Sequence, residues 1–161
     1  GQMVAGKRAL KIAKEAGEEM VTLYRGVDNW FPGKMVKEGK FVGGKAHKTG
    51  KISGKRQGNL DYIRTAHSEA IGEEILDEAI WLTDMKDIAK KYSNMAPEGF
   101  EGIKTGFLLE FEVPKSWINK KAIPLEQRNI TLTGASKIVD KGLQYVFQEG
   151  IPKEFLKKVH K

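Results

Sequence analysis

The sequence predicts an α+β fold, a mixed or antiparallel sheet core with short flanking helices, and three of its features lead there. Short runs rich in β-branched and aromatic residues read as strands: Val21 to Val27, Ile80 to Thr83, Gly106 to Val113 and Leu143 to Phe147. Between them lie segments whose apolar residues recur at helical spacing. The 18 glycines fall between the apolar runs without any repeat, as turns require. With 161 residues, 40% of them hydrophobic, the chain fills one core but not two, so a single domain over residues 1–161 is expected.

The elements follow in chain order. Residues 1–19 form a leading helix, with Leu10, Ile12, Ala13 and Ala16 among Lys, Arg and Glu from residue 4 onward. The strand Val21 to Val27 presents Arg25 near its exit, a charge inside an apolar run that needs a reason. Residues 28–59 are glycine-studded and basic. Trp30, Phe31, Phe41 and Val42 are their apolar anchors, which predicts a long loop with room for one short hairpin. Ile63, His67, Ile71 and Ile75 stand at steps of four, which predicts an amphipathic helix over 60–78 despite Gly72.

Ile80 to Thr83 is a strand, and Asp84 is placed to cap a helix from Met85 to Tyr92, because its carboxylate can accept first-turn N–H groups. Pro114 stops the strand that begins at Gly106, Asn129 to Thr133 is a weaker strand, and Gly142 introduces Leu143 to Phe147. Gly150-Ile151-Pro152 turns into a final helical stub, Lys153 to Val159.

Charge and composition exclude several function classes. Without cysteine there is no disulfide, thiolate metal site or cysteine nucleophile. No apolar run is long enough to span a membrane, and the first residues lack the apolar centre of a signal peptide. The formal charge of +7 suits an acidic partner or nucleic acid, and nearly all of the excess lies in residues 28–59. Lys45, Lys48, Lys51, Lys55 and Arg56 are therefore the expected nucleic-acid or partner surface.

Four segments in order carry a resemblance: Leu23-Tyr24-Arg25-Gly26; Trp81-Leu82-Thr83-Asp84 with Ala89 and Tyr92 following; Leu109 to Pro114; and Gln144 to Glu154. Together they resemble the ADP-ribosyltransferase-like domains at the C-terminal ends of bacterial polymorphic toxins, of the contact-dependent inhibition and Rhs type. The resemblance implies an enzyme that cleaves the nicotinamide–ribose bond of NAD, as an ADP-ribosyltransferase or an NAD glycohydrolase, with NAD as co-substrate and no metal. It also implies delivery as the C-terminal part of a larger, secreted toxin, action in the target-cell cytoplasm and an acidic immunity protein as partner. The macromolecular target, protein or RNA, is left open.

The site residues it implies are Arg25, Thr83, Gln144 and Glu149 for catalysis, with Tyr24, Arg25, Gly26, Thr83 and Tyr92 against the dinucleotide. A guanidinium offers pyrophosphate a bidentate, charge-assisted contact that lysine cannot reproduce. Thr83 would brace the nicotinamide-ribose pocket. Tyr24, Trp30 and Tyr92 are the candidate rings for stacking on nicotinamide or adenine. Where the family carries a glutamate that offsets charge as the glycosidic bond breaks, this chain has Gln144. Three readings stand: a native glutamine suited to hydrolysis, as in related toxins; a disabling Glu-to-Gln change; or a carboxylate supplied by Glu149.

Two rival functions need no NAD. A metal-independent toxin ribonuclease would use His47 or His67 as general base with Lys45, Lys48 or Arg56 stabilising the phosphate. A non-enzymatic nucleic-acid-binding module would use the basic loop alone. His67 lies on the apolar ladder of its helix, where a core histidine is expected, and His67, Glu69 and Glu73 have only a loose metal-ligand spacing.

Overall fold

A computed structural model describes residues 2–27, 36–43, 65–93, 106–130 and 136–160. In chain order they form α1 (Gln2–Glu15), β1 (Met20–Val27), β2 (Val36–Lys37), β3 (Lys40–Phe41), α2 (65–71), β4 (Ile80–Thr83) and α3 (Lys86–Ser93). These are followed by β5 (Phe107–Pro114), α4 (Lys115–Lys121), β6 (Ala122–Ile130), β7 (Ser136–Phe147), β8 (Ile151–Pro152), a 3-10 turn (Lys153–Phe155) and β9 (Leu156–His160). The fold is α+β. A six-stranded sheet has the order β6-β7-β4-β1-β5-β9, a small sheet has the order β2-β3-β8, and every described pairing is antiparallel. Among the described residues no helix is long and apolar enough to cross a membrane.

Strand alternation sorts the core into the two faces of the large sheet. Leu23, Val27, Ile80, Leu82, Leu109, Phe111, Val113 and Phe147 share one face and one cluster, closed by Phe41, Ile118, Ile151 and Phe155. Phe111 is 0% exposed and meets Phe41 edge-on at 5.4 Å between ring centroids. On the other face, Trp81, Val146, Ile123 and Leu125 pack with Ile71, Ile75 and Ala79.

Several sequence expectations are corrected. The helix expected over 60–78 ends at residue 71, because Gly72 takes a positive φ of 77° and closes it as a C-terminal glycine does; residues 60–64 lie outside the described residues. Ile75 is buried nevertheless, from the turn that follows. Lys115–Lys121, unforeseen, is a helix that starts directly after Pro114 and ends on Lys120 and Lys121, cations that suit its C-terminal dipole. The strand expected at Asn129 to Thr133 is the described end of a longer one, β6, which pairs along β7; residues 131–135 lie outside the described set. β7 itself starts well before Gly142.

The final helical stub is also corrected. Only Lys153–Phe155 is helical, as one 3-10 turn, and Leu156–His160 is the edge strand β9, paired to β5. Without β9, the apolar strand β5 would leave its outer edge unpaired, and this tertiary demand outweighs the weak local preference of Leu-Lys-Lys-Val-His. Within the expected 28–59 loop, β2 and β3 are the short hairpin. Its two turn residues, Glu38 and Gly39, have φ of 51° and 79°, as a two-residue hairpin loop demands. Residues 28–35 and 44–59, with Trp30, His47, Lys45, Lys48, Lys51, Lys55 and Arg56, lie outside the described residues.

α1 seats on the first core face through Ala9 and Leu10, and Gly6 lets it approach Pro152 and Glu154. A Cβ at Gly6 would stand 2.6 Å from Pro152 Cβ and 2.6 Å from Glu154 Oε2. Helix propensity alone favours Gly6→Ala by about 1 kcal/mol, whereas overpacking against a rigid proline ring costs about 1–3 kcal/mol. Gly6→Ala is therefore expected to lower the urea midpoint. A raised midpoint would show that α1 can shift without cost.

Candidate functional site

The register of the large sheet sets one cross-strand row. Leu125 on β6, Gln144 on β7, Thr83 on β4, Tyr24 on β1 and Glu110 on β5 are successive partners, and Lys158 on β9 ends the row. Directly opposed residues of antiparallel strands share a face, so Gln144, Thr83 and Tyr24 stand side by side, one strand spacing of about 4.8 Å apart.

Thr83, 7% exposed, is the one buried polar residue among the described residues. Its Oγ1 accepts the Met85 N–H at 3.0 Å and donates to the Leu143 carbonyl at 3.4 Å. The expected Asp84 cap is corrected here. Asp84 Oδ1 reaches across to accept the Leu143 N–H at 2.9 Å, and the N–H at the start of α3 is served by Thr83 instead. Asp84 N–H donates to the Leu143 carbonyl as well, at 3.1 Å, so the end of β4 is clamped on Leu143 by both residues. This clamp fixes the next residue, Gln144, whose Nε2 donates to the Glu126 carbonyl at 3.1 Å. Gly142 makes the approach possible, since a Cβ there would fall 2.4 Å from Met85 Cγ and Sδ.

Arg25 is placed differently. Alternation puts its side chain on the face of Leu23 and Val27, opposite to Tyr24, Thr83 and Gln144. β1 and β4 are in register only at Tyr24 and Thr83. Just beyond that pair, Arg25 Nη1 donates to the Trp81 carbonyl at 3.0 Å, so the guanidinium bridges the two strands next to their one ladder rung. Gly26 follows in β1, opposite Leu108. Tyr92 lies in the last turn of α3.

Glu149 is apart from the row. It sits exposed in the turn after β7, paired with Lys121 at 3.3 Å, on a groove of about 600 Å³ that Trp117, Phe147, Gln148 and Pro152 help to line. Gln148, not singled out in the sequence, ties that turn to the 73–76 segment. Its amide nitrogen donates to Glu73 Oε1 at 3.1 Å and to the Glu74 carbonyl at 2.9 Å, and its oxygen accepts the Leu76 N–H at 2.8 Å.

Glu110 is the carboxylate that the row does contain, and it too escaped the sequence reading. Its Oε1 lies 3.2 Å from His160 Nε2, and both side chains are largely sheltered. Burial raises the Tyr24 phenol above its ordinary value and the Glu110 charge adds to the shift; burial, then Asp84, does the same to Tyr145. The only signal for Glu110 in the sequence is strand alternation, which marks it as facing away from Leu109 and Phe111.

His67 lies against Trp81, with ring centroids 4.4 Å apart, and burial holds its imidazole below the ordinary 6.5. Below pH 6.5 the unfolded chain takes up a proton that the folded one resists. The contribution of His67 to stability is therefore complete above pH 6.5 and is lost as pH falls toward the lowered folded value. His67→Gln is expected to flatten the decline of the urea midpoint below pH 6.5, and parallel declines in both proteins would contradict it. Among the described residues no group of three or more His, Cys, Asp or Glu is arranged to hold a metal ion. In comparisons with known proteins, no family model, curated protein or solved structure matches the chain.

Proposed function

We propose that this domain, with an ADP-ribosyltransferase-like fold, cleaves the nicotinamide–ribose bond of NAD as a bacterial toxin effector, handing ADP-ribose to water or to a macromolecule. The observation that carries the reading is the register. Thr83 and Gln144, taken from separate segments, are direct cross-strand partners, and Tyr24 extends their row.

In this reading the Arg25 guanidinium grips pyrophosphate or ribose where β1 and β4 part, and the substrate crosses that gap to reach the row. Tyr24 offers a ring to the nicotinamide, and Thr83 holds the floor of the pocket through Leu143. The Gln144 amide nitrogen already donates to Glu126, which leaves the amide oxygen to accept from a ribose hydroxyl. A carboxylate would do the same and would also offset the oxocarbenium charge. The neutral amide forgoes that term, worth on the order of 3 kcal/mol.

Free nicotinamide is measured after incubation with NAD, for the chain as it stands and for Gln144→Glu. Release by the unaltered chain, with free ADP-ribose as product, marks a native glycohydrolase. Release only by Gln144→Glu marks Gln144 as a disabling residue. No release from either protein would sink the proposal.

A further inference from the structure

Beyond NAD chemistry, the described charges are sorted by the fold in a way the sequence does not display. Five carboxylates, Glu69, Glu73, Glu74, Asp77 and Glu78, follow closely on α2 and its turn. That segment packs through Ile71 and Ile75 onto Trp81, Val146, Ile123 and Leu125, over the β6-β7-β4 side of the sheet and on its second face. Some cations share that side, Lys37 paired with Glu78 and Lys40, Lys120 and Lys121 on the groove with Glu73 and Glu74, but a separate set stands on α1. α1 buries Gly6 and Ala13, seats Ala9 and Leu10 on the core, and exposes Lys7, Arg8, Lys11 and Lys14. At 3.6 residues per turn, Lys7, Lys11 and Lys14 form one stripe along its flank.

α1 lies against Pro152 and Glu154 on the first face of the sheet, so exposed Lys153 adjoins it, and Lys157 on the edge strand β9 extends the same end. The basic side is therefore at the opposite edge, and on the opposite face, from the acidic one. None of Lys7, Arg8, Lys11, Lys14, Lys153 and Lys157 forms an ion pair with another described residue, whereas Lys37, Lys115, Lys121 and His160 do. Of the acids nearby, Glu15 is exposed at the end of α1, Glu18 and Glu19 follow it and are engaged by the Ser116 N–H and by Lys115, and both carboxylate oxygens of Glu154 are buried.

We infer that this α1–β9 side binds the sugar–phosphate backbone of nucleic acid without regard to sequence. Phosphate contact needs cations and no apolar centre, and it gains from counterion release. A protein partner would require a desolvated apolar or aromatic anchor, and among the described residues this side offers two separate exposed apolar side chains, Ile12 at 57% on α1 and Val159 at 36% on β9. α1 carries no aromatic residue to stack bases, and lysine contacts to phosphate carry no sequence information.

The test is fluorescence anisotropy with a labelled RNA duplex of mixed sequence, titrated across about 50–200 mM salt. The chain is expected to bind with a steep salt dependence. Reversing Lys7, Lys11 and Lys14 to Glu is expected to weaken binding at least tenfold, roughly, at low salt and to reduce the log–log slope by about 2–3. Lys→Gln at the same three positions removes the charges without reversal and keeps the test in force if the reversed variant unfolds. Unchanged affinity and slope in both sets, with loss only when Lys45, Lys48 and Lys51 are reversed, would overturn the assignment. So would absence of RNA binding at low salt, or binding of polyglutamate in its place. None of these residues belongs to the NAD row, so the outcome is independent of nicotinamide release.

Discussion

Arg25→Ala is expected to lower the proposed NAD cleavage by about 10²- to 10³-fold, and Arg25→Lys to recover little of it. A lysine ammonium lacks the planar fork that lets one nitrogen hold the Trp81 carbonyl, as Arg25 Nη1 does at 3.0 Å, while another turns to pyrophosphate. The substitution also removes a partly buried donor, so a loss of about 1–2 kcal/mol in stability accompanies it. The two effects separate in a kinetic measurement. If Arg25 only ties β1 to β4, the folded Arg25→Lys fraction turns NAD over normally. If it grips the dinucleotide, turnover per folded molecule falls in both variants.

Gly142→Val is expected to cost about 3–5 kcal/mol, the largest stability effect of any single change near the site. The backbone there has φ of 88°, which a β-branched residue adopts only under strain. The new side chain would also meet Met85 at 2.4 Å and Asp84 Oδ1 at 2.9 Å, the same carboxylate oxygen that holds Leu143. Met85 can swing aside, but moving Asp84 Oδ1 loosens the clamp that sets Gln144 opposite Thr83, so the proposed NAD cleavage falls with stability. Gly17 supplies the contrast. It also has positive φ, 66°, but nothing lies within 4 Å of its missing Cβ. Asparagine, which tolerates this conformation, should cost under about 1 kcal/mol at Gly17 and distinctly more at Gly142. Urea denaturation of the three variants measures the difference, and equal losses on asparagine substitution at the two positions would remove close approach as the reason for Gly142.

The strands that hold the candidate residues were legible because each buries a continuous apolar run: Leu23 and Val27 on β1, Ile80 and Leu82 on β4, Leu109, Phe111 and Val113 on β5. β9 and α4 were not. Each is short, and its state is decided by what it covers: the free edge of β5 for Leu156–His160, and Phe155 for the Trp117 ring, 5.1 Å away and edge-on. In the site, the pairing of Thr83 with Gln144 was beyond reach of the sequence, because it depends on hydrogen bonds that both strand ends make through the backbone of Leu143. The opposite facing of Arg25 was legible in principle. It stands two residues from Leu23 and two from Val27, both buried, and alternation follows from that spacing. Glu110 escaped for the converse reason, because a glutamate in a strand that turns polar reads as solvent-facing until His160 arrives from the far end of the chain.

The most direct test of the proposed NAD site is a titration of the isotope-labelled chain with NAD, following backbone amide resonances by NMR, because binding would be visible whether or not Gln144 permits turnover. The largest shifts are expected at Tyr24, Arg25, Thr83 and Gln144, with Arg25→Ala abolishing them. Saturable shifts confined to residues remote from that row, or none at millimolar NAD, would contradict the assignment.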